Sequence, residues 1–205
     1  MLQIIKLNPK NPDKSVIQNA REQIAAGKLV IFPTDTVYGL ATDPFNEKAV
    51  KRLIEAKKRT SAKGFPILVA NLEMAKDLVK FSEVALSLVS KFWPGALTLI
   101  LPLKKSVPEL ITGDRQTLAI RVPDHIIARQ LAEIPIVGTS ANISGRDSPV
   151  SAEDAINQLG GSVDLVLDSG STKEGIASTI LDLSTKNPRI VREGVIKREQ
   201  LRPFL

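Results

Sequence analysis

The chain has 205 residues and a formal net charge of +6, with 43% hydrophobic and only 4% aromatic content, so it can bury a single aliphatic core. It holds no cysteine and one histidine, His125, which excludes disulfides, thiolate catalysis, zinc–sulfur sites and histidine metal clusters. The opening MLQIIKLNPKNP lacks the apolar core of a secretory signal, and no apolar run nears the roughly 20 residues of a membrane span. The expectation is a soluble, cytoplasmic protein.

In chain order, Asp13 is placed to cap a helix with Val16, Ile17, Ala20 and Ile24 on one face, stopping at Gly27. KLVIF then reads as a strand buried on both faces. It runs into Pro33 and the polar group Thr34-Asp35-Thr36, which either cap a turn or hold a ligand. Asn46 opens a helix with the stripe Val50, Leu53 and Ile54. FPILVA reads as a strand, helices follow at 72–79 and 82–92, and Pro94-Gly95 ends the second. ALTLIL, TLAIRV, PIVGT, VDLVLD, ASTILDL and PRIVR are further strands, with helices at 124–133 and 151–159 between them. Interleaved strands and helices predict an α/β domain, and seven or more strands in a chain of this length predict one sheet system. No linker divides it, so residues 1–205 are expected to form a single domain.

Several residues stand out against this pattern. Lys57 continues the apolar stripe of its helix, where a lysine either snorkels past the helix end or aims its charge into a site. Arg59 follows where that helix must end. The segment 51–63 carries six basic residues against one acid, and the tail KNPRIVREGVIKREQLR is basic too. Such clusters suit a solvated face, a phosphate-rich ligand or RNA. Period 2 puts Arg121 on the strand face of Ala119, opposite Leu118, Ile120 and Val122, where its fork can clamp a carboxylate if that face lines a cleft. PIVGTSANISG ends an apolar strand in Ser140 and Asn142, with Ser148 beyond, and ASTILDL carries Ser178 ahead of Arg192. Each is explicable as turn or edge chemistry, yet all stand at strand ends or edges, where α/β sheets bind ligands. No GxxxxGK[ST], no GxGxxG, no GxSxG and no close carboxylate pair is present, so a nucleotide would be held by dispersed Lys, Arg, Ser and Asn.

PTDTVYGLATD, the Lys57-Lys58-Arg59 KxR, FWPGALTLIL, LAIRVPDH and TSANISG, in this order, resemble the YrdC-like family in its short form, over about residues 15–195. The resemblance implies a twisted mixed β-sheet flanked by helices around an open basic cavity. It also implies a nucleotidyltransferase that makes a threonylcarbamoyl adenylate and pyrophosphate from L-threonine, bicarbonate or CO2, and ATP, for modification of adenosine 37 in tRNA. Residue by residue it assigns Thr34, Arg121 and Ser178 to threonine, Lys57, Arg59, Ser140 and Asn142 to a tetrad around ATP, and Ser148 and Arg192 to the nucleotide. Mg2+ would arrive with ATP, and no metal ligand is assigned to the protein. Contact with tRNA, transient contact with the threonylcarbamoyl-transfer machinery, and a monomer or homodimer are the expected associations, with no membrane. The chain departs from the family pattern in three places: Thr60 stands in place of the proline after KxR, the SAKGFPILV segment differs from the longer family form and leaves Lys63 unassigned, and Glu193 replaces a proline before Gly194, which bears on loop shape. The competing reading is a tRNA- or duplex-RNA-binding or regulatory protein using the same basic cavity, although one Trp and one Tyr give it little stacking capacity.

Overall fold

The structure, a computed structural model, describes residues 2–59 and 64–205. Its elements run β1 (Gln3–Lys6), α1 (Lys14–Ala25), β2 (Val30–Phe32), β3 (Gly39–Ala41), α2 (Glu47–Ala56), β4 (Ile67–Leu68), α3 (Leu72–Leu78), α4 (Glu83–Phe92), β5 (Leu97–Pro102), α5 (Glu109–Thr112), β6 (Thr117–Arg121), α6 (Ile126–Leu131), β7 (Ile136–Val137), β8 (Thr139–Ser140), α7 (Ala152–Leu159), β9 (Leu165–Asp168), β10 (Thr179–Asp182), β11 (Arg189–Arg192) and α8 (Arg198–Leu201), closed by a 3-10 turn, Arg202–Phe204.

The strands form two mixed sheets, not the single one expected. One has the order β1-β9-β2-β3-β8 and the other β11-β10-β5-β6-β4-β7. The division falls inside PIVGT. Its first half pairs antiparallel with β4, its second half pairs antiparallel with β3, and Gly138 makes the crossing. A Cβ at Gly138 would lie 2.2 Å from Cγ of Leu68, so only glycine lets the chain pass from one sheet to the other at this spot.

The helices begin where side chains supply the N-terminal acceptors. Asp13, Asn46, Asn71, Ser82 and Ser151 accept from backbone N–H groups of α1, α2, α3, α4 and α7. Leu53 of α2 and Leu88 of α4 are fully buried against Leu97, Leu99, Leu118 and Ile120 of the larger sheet. Ile17, Ala20 and Ile24 of α1 join Ile127 and Leu131 of α6 in a second apolar cluster on the smaller sheet. No described helix is long and apolar enough to cross a membrane.

Candidate active site

The alternation along the larger sheet decides where the site forms. Leu118 and Ile120 of β6 and Leu97 and Leu99 of β5 point into the core. Thr117, Ala119 and Arg121, with Thr98 and Ile100 of β5 and Ser178 and Ile180 at β10, point the other way and floor a cleft of about 230 Å³. Thr34, the segment 36–39, Gly138–Ser140, Arg59, the segment 64–66, Leu68, Arg115 and Arg192 make its walls, with Asp35 set behind them. Arg121 therefore sits on the face that the period-2 reading required.

The polar turn after β2 both caps and lines. Thr34 Oγ1 donates to the Val37 carbonyl at 2.7 Å and accepts from the Thr36 N–H at 3.0 Å, closing the turn, and the same residue faces the cleft. Asp35 is buried beside it and reaches Arg121: Nη2 donates to Oδ1 at 2.5 Å. Arg121 is further fixed by Nε donating to the Gly95 carbonyl at 2.8 Å and Nη1 to Thr36 Oγ1 at 3.1 Å. Burial pulls the Arg121 pKa down and the charge of Asp35 pushes it back up. Ser178 shares a 2.9 Å hydrogen bond with Thr98 Oγ1. Arg192, exposed as a residue, turns its head group inward so that Nη2 donates to the Ser178 carbonyl at 2.8 Å. Burial, then the charge of Arg121, lower the Arg192 pKa.

A second pocket of about 360 Å³ is lined by Lys57, Lys58, Arg59, Ser140, Asn142, Ser144 and Gly145, so Arg59 and Ser140 belong to both. Lys57 does not snorkel. It is 2% exposed, and Nζ donates to the carbonyls of Ser140 at 2.5 Å and Asn142 at 2.8 Å. Burial, then the charge of Arg59, bring its pKa down to about 7. Ser140 Oγ donates to Asn142 Oδ1 at 2.5 Å, and Asn142 Nδ2 donates to the carbonyls of Ile143 and Arg146. Lys57, Ser140 and Asn142 are thus one connected unit in which a buried cation and a side-chain amide fix the loop after β8, and Arg59 stands beside it in the same pocket. Arg59 stacks its guanidinium 4.5 Å from the Phe65 ring centroid, and its Nη2 donates to the Gly64 carbonyl. Its buried Nε has no protein partner among the described residues.

Ser148 lines neither pocket; the neighbouring Pro149 carbonyl accepts from Tyr38 N–H at 2.9 Å. Thr60 and Lys63 lie outside the described residues. At the other departure, Glu193 pairs with Lys197 at 3.9 Å, and Gly194 passes so near that a Cβ there would lie 2.0 Å from the Ala177 carbonyl oxygen. The sequence reading missed Asp35 as the partner of Arg121, and it missed Arg115 and Thr98 as lining residues. A signal existed for Asp35: a buried arginine demands a counter-charge, and PTDT holds the carboxylate. Among the described residues no group of three or more His, Asp or Glu is placed to hold a metal ion.

The family described as "Telomere recombination", comprising Sua5, YciO and YrdC, matches residues 22–194. The chain belongs to this family. The threonylcarbamoyl-AMP synthase of Pyrococcus abyssi is 43% identical over 182 residues, covering 87% of this chain and 54% of the relative. The Bacillus subtilis threonylcarbamoyl-AMP synthase is 39% identical over 190 residues, covering 90% of this chain and 55% of its own. The chain thus spans about half the length of these two relatives. The structure of P. abyssi Sua5 complexed with L-threonine superposes with a TM-score of 0.92 at 38% identity, covering 100% of this chain and 61% of that one.

Proposed function

We propose that the chain is an L-threonylcarbamoyladenylate synthase, which joins L-threonine, bicarbonate or CO2, and ATP into threonylcarbamoyl-AMP and pyrophosphate. The observation that carries this reading is the continuity of two differently built sites. Directed donors from Arg121 stand in the cleft with Thr34 and Ser178, the Lys57–Ser140–Asn142 cluster stands in the adjoining pocket, and Arg59 belongs to both. An amino acid in the first and a triphosphate in the second would meet near Arg59.

The chemistry asks mainly for placement and charge compensation. The threonine amine adds to CO2 and loses a proton to give a carbamate. A carbamate oxygen then attacks the α-phosphorus of ATP, the bond to the β-phosphate oxygen breaks, and pyrophosphate leaves. Arg121 would hold the threonine carboxylate, with Thr34 and Ser178 beside it. Lys57 and Arg59, with Arg192 reaching from the adjoining cleft, would offset the charge of the triphosphate, and Ser140 and Asn142 would flank the nucleotide; Ser148, outside both pockets, is given no role. ATP would enter as its Mg2+ complex, the ion held by phosphate oxygens and water. The product would serve modification of adenosine 37 of tRNA in the cytoplasm, passing to the threonylcarbamoyl-transfer machinery.

The test is pyrophosphate release from Mg-ATP with threonine and bicarbonate omitted in turn. Release that requires both is the expected result. Release without threonine would replace this reading with ATP hydrolysis or another acceptor. No release, with tight and steeply salt-dependent RNA binding, would favour an RNA-binding role.

A further inference from the structure

The cleft must sort two kinds of anion. Arg59, Arg115, Arg121 and Arg192 all line it. Guanidinium forks bind carboxylate and phosphate alike. Among the described residues, only Arg121 of these four has a carboxylate partner. We propose that Asp35 is a specificity-determining residue whose charge reserves the free donors of Arg121 for a monoanionic carboxylate and keeps phosphate out of that part of the cleft. The proposal rests on the reading that an amino-acid carboxylate docks at Arg121.

Asp35 and Arg121 are both almost fully enclosed, with side chains 7% and 6% exposed. As a pair they carry no net charge. Arg121 has five N–H donors, and among the described residues Gly95, Thr36 and Asp35 each take one, leaving two for a ligand. A carboxylate fits two directed donors and brings only one negative charge. A phosphate dianion or a polyphosphate brings more charge against Asp35 in a place where water screens little, so it is repelled more strongly. Arg59 and Lys57 carry no such carboxylate and remain open to phosphate. The Asp35 backbone is also held, its carbonyl accepting from Glu174 N–H at 3.1 Å, and its carboxylate is held by Arg121 Nη2. The device is repulsive: it acts against the wrong anion more than it attracts the right one.

A buried arginine needs a counter-ion for folding alone, so stability is no test of this proposal. The readout is binding of inorganic phosphate and of L-threonine, measured by calorimetry without ATP, on the wild type and on Asp35→Asn. The asparagine keeps the acceptor oxygen and removes the charge. In the wild type, phosphate and threonine should bind independently. In Asp35→Asn, phosphate should bind about tenfold tighter, and threonine should compete with it. Unchanged phosphate affinity in the variant, or competition already present in the wild type, overturns the proposal. The wild-type competition decides the matter alone if the variant does not fold. If the wild type binds phosphate but not threonine, the amino-acid reading fails. A gain of phosphate binding in Asp35→Asn would then still establish Asp35 as the excluding charge.

Discussion

The side chain of Lys57 donates to the carbonyl of Ser140 at 2.5 Å, tying the end of α2 to the end of β8, 83 positions further along the chain. A second bond reaches Asn142, and the Ser144 N–H returns to the Lys57 carbonyl at 2.9 Å. The KxR and SxN motifs are therefore a single clasp. The lysine locks the loop and also presents its charge to the pocket between them.

That double use gives a pH dependence with a definite sign. With its pKa near 7, Lys57 is charged below neutrality and largely neutral above it. A neutral amine keeps two N–H groups, enough for both carbonyls, so deprotonation removes the charge without opening the clasp. ATP should favour the charged form. Its Kd is expected to be level below about pH 6 and to rise by up to about tenfold per pH unit above 7. Calorimetry at pH 8 in buffers of different ionisation heat should show proton uptake on binding. Because the folded pKa lies below the ordinary lysine value, the unfolded chain binds more protons from about pH 7 to about 10.4, so this group's contribution makes stability rise with pH there. A Kd independent of pH would separate Lys57 from the nucleotide.

Among the described residues Arg59 is held by one side-chain hydrogen bond, to the Gly64 carbonyl, and by the Phe65 ring, and it belongs to both pockets. It is poised for an anion rather than committed to a protein carboxylate. Arg59→Ala should lower kcat/KM for ATP by the equivalent of about 2–4 kcal/mol, with a much smaller loss of thermal stability. Steady-state pyrophosphate release checks this, and near-wild-type turnover would remove Arg59 from the reaction.

The parts of this molecule that were legible in the sequence share a local cause. Asp13 and Asn46 announce helices because a capping side chain acts within three residues of itself. Arg121 could be assigned to a face because alternation needs only its own strand. β1 and β3 were not foreseen: they are short, QIIK and GLA carry no distinguishing pattern, and their order comes from β9 and β2 across the sheet. The split of PIVGT was hidden because two consecutive dipeptides pair with strands of different sheets, a choice made by Leu68 and Gly138 in space. At the site, residue types in motifs were readable through the family resemblance. The partners that set their charge, above all Asp35, required the fold.

The crossing at Gly138 predicts a specific interaction energy. Gly138→Ala puts a methyl 2.2 Å from Cγ of buried Leu68, so the leucine or the backbone at the crossing must shift. The variant should lose about 1–3 kcal/mol, a Tm drop of roughly 3–10 °C for a chain of this size. Leu68→Ala alone should also destabilise, by leaving a cavity. The double variant should be less destabilised than the sum of the two, by at least about 0.5 kcal/mol. Simple additivity would show that the crossing tolerates a side chain and that the glycine is not what divides the sheets.

Asp164 offers a prediction away from both pockets. Its carboxylate accepts from Arg52 Nη1 at 2.6 Å and Nη2 at 3.1 Å, and from the Leu29 N–H at 2.8 Å, fixing α2 to the turn that opens β2. Burial pushes its pKa up, but the bonds from Arg52 and Leu29 outweigh this and hold it below the ordinary value. A depressed carboxylate contributes stability above its unfolded pKa, about 3.9, and loses that contribution as pH falls through the folded value. Asp164→Asn should therefore cost about 1–2 kcal/mol at pH 7, the modest figure reflecting a partly exposed pair. The gap between variant and wild type should narrow once pH drops below about 4, because protonation then removes the same charge from the wild type. Urea unfolding at pH 7 and at pH 3 measures both quantities. An undiminished gap at pH 3 would mean that the asparagine harms packing rather than removing a charge-assisted bond.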